Sequence, residues 1–348
     1  MEHRAKKRIK RIVLILILLI LLAVMVYLGL EIMGKKSMHA QVIEEIPVTA
    51  PLEEAEVEDD GMTVTYKGEK YRYNENITSI LCMGVDKREV ETEDVLIGTA
   101  GQADMLMLAI MDTQSGVVKL WNISRDSMTD VDIYNVDGQY VRTEKLQACL
   151  AYAYGDGKKG SCENTVKAVS RLLYGMPIQS YAVLDLDAIR PLNDAIGGVE
   201  VTIHEGDILP GRFVPGTTVL LKGNDVEPYV RSRRTEIPGE PIDSNNNRMA
   251  RQRQYMMKFI QKALQMTKED LTTPMRLFKV AMEEDYMVTN LDISKVAYLS
   301  KYLGKISFSE GNFQTVPGEV VAGAEHAEYH VDDEKLYEMI LETFYVKE

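Results

Sequence analysis

From Ile12 to Leu30 the chain carries no charge and consists almost wholly of Leu, Ile and Val. That length matches the roughly 20 apolar residues needed to cross a bilayer core. A helix in a water-soluble core normally keeps a polar face, and this one has none. Residues 1–11 hold Arg4, Lys6, Lys7, Arg8, Lys10 and Arg11 against Glu2, and basic residues beside an apolar span stay on the cytoplasmic side. The run exceeds the roughly 7–15 apolar residues of a cleaved leader. Glu31, Lys35 and Lys36 follow it, where a cleavage site would need small residues. The expectation is a basic cytoplasmic tail at 1–11 and a transmembrane anchor at 12–33. Everything after the anchor then lies outside, in a protein that crosses the cell membrane once.

Residues 34–75 read as an acidic extracellular linker. Glu53, Glu54, Glu56, Glu58, Asp59 and Asp60 follow no helical or strand period. Within this stretch Met62–Tyr73 alternates enough for a short hairpin turning at Lys67-Gly68. From about residue 76 to 348 apolar strand-like runs and amphipathic stretches interleave. Ser79–Val85, Met105–Met111, Val117–Ile123, Tyr181–Leu186 and Val199–Ile203 read as strands. Leu146–Tyr154, Glu163–Leu173, Asp187–Ile196, Arg248–Met266, Pro274–Met282, Ile293–Tyr302 and Asp332–Thr343 read as helices. The pattern predicts an α/β domain with a single mixed β-sheet between helices, and roughly 270 residues suffice for one core. Cys82 reads as a buried thiol. Cys149 and Cys162 flank a Gly-rich segment, and both a disulfide and two free thiols fit the sequence. No Cys or His spacing suggests zinc.

The chain is acidic, with net charge −13, yet arginines crowd into YVRSRR at 229–234 and RMARQRQ at 248–254. On a strand Arg231 and Arg233 share a face. On a helix Arg248, Arg251 and Gln252 do. Arginine suits bidentate phosphate binding; a surface salt-bridge network with Glu227, Glu236 and Glu240 is the alternative. Asp86 follows one predicted strand and Asp104 precedes the next. Two carboxylates at one sheet edge suit a hard cation such as Mg²⁺, although each could instead cap a turn. Arg125 and Asp126 stand at a strand exit, where α/β proteins place ligand-binding residues.

In order, GVDKR, ADM before an apolar strand, ISRD, KLQ with AYAYGDG, YAVLDLDAI, AIGGVEV, YVRSRR and R-x-x-RQ make the chain resemble the LytR-CpsA-Psr family over roughly residues 77–266. The resemblance implies a membrane-anchored enzyme of Gram-positive envelopes. It would transfer a glycan polymer from a polyprenyl-pyrophosphate carrier to peptidoglycan or another envelope acceptor and leave a phosphodiester. It assigns Asp86 and Asp104 to Mg²⁺. It assigns Arg88, Arg125, Lys145, Arg231, Arg233, Arg248 and Gln252 to the pyrophosphate, and Arg125 and Asp126 to catalysis. Three departures stand out: Ala103 and Met105 replace hydroxyl residues around Asp104, Ser124 replaces a proline, and Asn245–Asn247 replace Asp-Phe-Gly. A lipid groove would be lined by Leu150, Tyr152, Leu172, Leu173, Met256, Met257 and Ile260. A non-catalytic sensor or scaffold and a carrier pyrophosphatase are the alternatives. Nucleic acid is excluded as a partner by the acidic charge and the outward placement.

Overall fold

The computed structural model describes residues 29–38, 46–85, 98, 101–204, 213–232, 244–283, 286–303, 306, 309–323 and 326–348. Most of the expected membrane span, residues 12–28, lies outside them. Among the described residues no helix is long and apolar enough to cross a membrane. Residues 29–38 form helix α1.

The chain continues as β1 (Ala55–Val57), β2 (Thr63–Tyr66), β3 (Glu69–Tyr73), β4 (Ile77–Val85), β5 (Ala103–Asp112), β6 (Val118–Ile123), β7 (Met128–Tyr134) and β8 (Tyr140–Gln147). Then come α2 (Leu150–Ala153), α3 (Lys159–Leu172), β9 (Ser180–Asp185), α4 (Ile189–Ala195), β10 (Val199–Thr202), β11 (Thr218–Leu221), α5 (Val226–Arg231), α6 (Ser244–Glu269) and α7 (Thr273–Glu283). The last elements are β12 (Met287–Thr289), α8 (Ile293–Leu303), β13 (Phe313–Thr315), β14 (Gly318–Ala322), β15 (Ala327–Val331), α9 (Asp333–Phe344) and β16 (Tyr345–Lys347).

A six-stranded sheet in the order β12–β9–β4–β5–β6–β13 forms the centre. It is mixed: β4 pairs antiparallel with β5 and parallel with β9, and β6 pairs antiparallel with β5 and parallel with β13. Side chains alternate between its faces. Leu81, Met83, Leu106, Leu108, Ile110 and Trp121 pack with α3 and α9 on one side. Met107, Met111, Val118 and Leu120 pack with Met38, α6 and α8 on the other. The expected sheet between helices is thus present.

It is not the single sheet expected. Two further hairpins, β7–β8 and β10–β11, and a small four-stranded sheet β1–β2–β3–β16 surround it, with β14–β15 as another pair. The small sheet corrects the linker reading over residues 46–75. Val64 and Tyr66 are buried, and Tyr66 meets Tyr337 of α9 edge-on with ring centroids 5.5 Å apart. The acidic run did not reveal this because its charges serve the fold locally. Glu58 pairs with Lys70 at 2.7 Å. Asp60 accepts from the backbone N–H groups of Met62 and Thr63 and from the Thr63 hydroxyl, and these bonds hold its carboxyl below the usual range. The hairpin turn stands as expected. Lys67 and Gly68 have φ of 50° and 78°, the left-handed pair that a two-residue hairpin turn requires.

Helix α1 is seated on the domain. A Cβ at Gly34 would lie 2.1 Å from the Ser294 carbonyl oxygen, so only glycine allows α1 to come this close to α8. Glu31 pairs with Lys301 of α8, and Met38 is fully buried against the sheet.

The β7–β8 hairpin, where the sequence suggested no strands, packs on α3 through a buried carboxylate. Asp132 is 4% exposed. It accepts Arg171 Nη1 at 2.7 Å and Nη2 at 3.2 Å, and the Thr143 hydroxyl at 2.7 Å. Burial opposes its ionisation, but Arg171, Thr143 and Lys167 outweigh that and hold the carboxyl below its ordinary value of 3.8. A depressed folded value contributes stability that is fully present above pH 3.8 and lost as the pH falls through the folded value. Asp132→Asn is therefore expected to cost about 2 kcal/mol near neutrality, since bonds between charged groups are at stake. Urea unfolding at several pH values should show the gap to the unaltered protein closing below pH 3.8. A gap that stays constant down to the acid transition would contradict this role.

Candidate functional site

Val85, the last residue of β4, pairs with Ala103, the first of β5. Leu106 of β5 pairs with Ile123 of β6. Two residues farther out on each side, Asp104 and Arg125 come opposite one another. Arg125 Nη1 donates to Asp104 Oδ1, and Nη2 donates to Gln102 Oε1. The same Nη2 lies 3.5 Å from Cys149 Sγ, and Nε lies 3.5 Å from Asp126 Oδ1. One guanidinium thus reaches the start of β5, the β6–β7 loop and the turn after β8. Backbone bonds fix these pieces: Cys149 N–H donates to the Arg125 carbonyl at 3.0 Å, and Ala103 N–H to the Cys149 carbonyl at 3.3 Å.

The arginine side chain is 36% exposed and Asp104 is 43% exposed. An ion pair this open to water contributes only about 0–1 kcal/mol to folding. Stability therefore does not account for a four-way arrangement, whereas a ligand at this edge would meet a fixed fork. Burial works against the charge of Arg125, but Cys149, Asp104 and Asp126 outweigh it and raise its pKa. Burial also pushes the Cys149 thiol up, against the pull of Arg125. Cys149 and Cys162 are both free, which settles the pairing question in favour of thiols.

The second arginine group is built differently from its expectation. Arg231 ends helix α5 and does not lie on a strand. Pro228 in the first turn of that helix is the overlooked signal, because a missing N–H costs nothing there. Arg231 Nη1 donates to Glu227 Oε1 at 3.0 Å, one of the partners named for the salt-bridge alternative. Both residues line an open recess of about 390 Å³ with Pro228 and Ser232. From α6, fully buried Arg251 donates through Nε to the Tyr229 carbonyl at 2.9 Å and through Nη2 to the Ser232 carbonyl. Gln252 Nε2 donates to the Val230 carbonyl at 3.1 Å. Two of these side chains thus close the C-terminal end of α5, whose carbonyls lack partners within the helix. Arg248 lies in the same helix with its Nε buried. Arg253 points away, its guanidinium 5.0 Å from the Phe313 ring centroid.

Asp86, Arg88 and Arg233 lie outside the described residues. Lys145 is exposed in β8, opposite Asp130. The suggested groove residues do not form one groove: Tyr152, Leu172 and Leu173 belong to the core on one face of the sheet, and Met256, Met257 and Ile260 to the core on the other. Three contributors escaped the sequence reading. Gln102 immediately precedes the Asp104 motif. Gln147, in the KLQ segment, donates to Asp126 Oδ1 at 3.2 Å. Tyr329, far along the chain with no local signal, donates its N–H to the Asp126 carbonyl at 2.9 Å.

A family model described as the LytR_cpsA_psr family matches residues 46–344. The chain belongs to this family. Among sequence relatives, a protein of Halalkalibacterium halodurans named polyisoprenyl-teichoic acid–peptidoglycan teichoic acid transferase TagU is 29% identical over 188 residues, covering 54% of this chain and 53% of that one. The cell wall biosynthesis protein LcpA of Corynebacterium glutamicum is 24% identical over 264 residues, 69% of this chain and 50% of that one. The alignments thus span about half the length of these relatives. Among solved structures, B. subtilis TagV superposes with TM-score 0.57 at 20% identity, covering 77% of this chain and 97% of that one. A TagT structure bound to LI-WTA gives TM-score 0.54 at 19% identity, covering 77% and 89%. At these identities the structures establish a shared mixed α/β fold.

Proposed function

We propose that this family member is a membrane-anchored transferase that moves a glycopolymer from a polyprenyl-pyrophosphate carrier to peptidoglycan. The observation that carries the reading is the Arg125 fork, which joins Asp104 of β5 to Asp126 beyond β6. Relatives named as teichoic acid transferases support the reaction class. The basic residues 1–11 and the apolar run 12–30 support a single-pass anchor with the domain outside.

A hard divalent cation at Asp104 is part of this proposal. Arg125 takes Oδ1 of Asp104 and leaves Oδ2 without a partner among the described residues. Carboxylate oxygens are what Mg²⁺ accepts, with the ligand's own phosphates completing its shell. Asp104, with Asp86 as second carboxylate, would hold it, and when bound it would neutralise charge on a phosphate. Arg125 stabilises the charge that builds on the phosphoryl oxygens as the phosphorus–oxygen bond to the lipid phosphate breaks. An acceptor hydroxyl forms the new phosphorus–oxygen bond, its proton passes to Asp126, and the lipid phosphate leaves. Arg231 and Arg248, with Arg88, Arg233 and Lys145, are proposed to hold the rest of the diphosphate.

Purified protein incubated with labelled lipid-linked glycopolymer, with and without peptidoglycan, tests this. Label is expected in peptidoglycan, and chelation of divalent cations is expected to stop the transfer. Soluble label released regardless of acceptor would mean a pyrophosphatase. Binding without turnover would mean a sensor.

A further inference from the structure

Beyond residue 266 the chain carries none of the family motifs, yet one hairpin of this stretch reaches Asp126. Strand β15 makes a parallel bridge to the residue after it, Ser127↔Tyr329, and Tyr329 N–H donates to the Asp126 carbonyl. The side chain that joins the two is Gln147, at the end of β8. Its Nε2 donates to Asp126 Oδ1 at 3.2 Å and to the Ala327 carbonyl at 2.7 Å. A single amide nitrogen thus spends both N–H groups, one on the carboxylate and one on the hairpin.

We infer that Gln147 is a positioning residue for the transfer reaction, holding the Asp126 carboxylate toward the acceptor and making hairpin β14–β15 one wall of the acceptor side. This rests on the proposed role of Asp126. Among the described residues, the charged groups placed near Asp126 are Arg125 of its own loop and, through that arginine, Asp104 of β5. The Cys149 thiol lies against Arg125, and the hairpin carries the Glu328–His330 pair on either side of Tyr329. Among the described residues, the carboxylate of Asp126 meets the charged Arg125 and the Gln147 amide, a donor without charge of its own. It can therefore fix direction without neutralising the group.

The test compares Gln147→Met, which fills the space without donors, and Gln147→Glu, which sets a second carboxylate beside the first. Both are expected to lower kcat for transfer roughly tenfold to hundredfold, the scale of a small misplacement of a reacting group, while leaving KM for the lipid-linked donor within about twofold. Gln147→Glu should also move the acid limb of the pH profile upward by about one unit, as like charges side by side resist ionising together. A purely structural role would lower thermal stability and leave the profile in place, and that result would overturn the inference. In the unaltered protein the NMR signal of the Gln147 side-chain amide should follow the protonation of Asp126, and an amide signal that ignores it would also overturn the inference, whether or not the variants fold. Asp126→Asn separates the levels. If it abolishes transfer while both Gln147 variants behave as unaltered protein, only the positioning role falls. If it is silent, the reading of Asp126 falls first, and the positioning role with it.

Discussion

Arg125→Ala is expected to lower transfer by about two to three orders of magnitude, the loss that follows removal of a fixed donor from a developing anion. Its folding stability should change by no more than about 1 kcal/mol, because the ion pairs it loses are partly exposed. That combination separates a site residue from a structural one. Arg125→Lys should recover little. The arginine addresses Asp104 with one nitrogen, Gln102 and Cys149 with a second and Asp126 with the third. An ammonium is one point of charge on a flexible stem and cannot address all three directions. The measurements are initial rates with labelled lipid-linked glycopolymer and peptidoglycan, beside thermal unfolding of each variant. A lysine variant within about threefold of the natural rate would show that charge alone matters and would sink the fork.

Arg251 should show the opposite behaviour. It is 2% exposed and supplies N–H groups to two carbonyls at the end of α5. Each bond from a charged donor contributes about 1.5–3 kcal/mol, and a stranded buried carbonyl adds a further penalty. Arg251→Met keeps much of the volume but strands both carbonyls, so urea unfolding should register a loss of about 3 kcal/mol. Arg251→Lys should fall between, since one ammonium can serve one carbonyl well. If Arg251→Met is as stable as the natural chain, the α5–α6 junction is held by packing alone, and the reading of this arginine as a helix-end partner is wrong.

These two arginines show what the sequence could and could not display. The apolar runs of β4, β5 and β6 were legible because they are long, lie deep in the sheet and end in turn residues. The register that sets Asp104 opposite Arg125 follows from those runs. Arg251, by contrast, stood among arginines at the spacing of one helical face, and spacing does not tell whether such a face meets a ligand or a neighbouring carbonyl. YVRSRR alternates like a strand, yet Arg231 ends a helix whose start Pro228 marks. The β7–β8 hairpin was missed for a related reason. Its strand Tyr140–Gln147 is largely exposed and polar, so its hydrophobic period is faint, and of the helix expected over Leu146–Tyr154 only Leu150–Ala153 exists. The Asp126–Tyr329 contact joins residues far apart in the chain, and nothing local could announce it.

The small sheet has a consequence for synthesis. Its strand β3 pairs with β2 on one edge and with β16, the last strand of the chain, on the other. On the same side of the domain, Tyr66 meets Glu338 of α9 across 272 residues of sequence. At ordinary elongation rates the second edge of β3 waits on the order of tens of seconds for its partner. An open edge is a template for pairing with the wrong chain, and charged side chains along it discourage that. Strand β3 reads Glu69, Lys70, Tyr71, Arg72, Tyr73. Three of its five residues carry charge, of both signs, which makes the waiting edge a poor template for other strands until residues 345–347 close it.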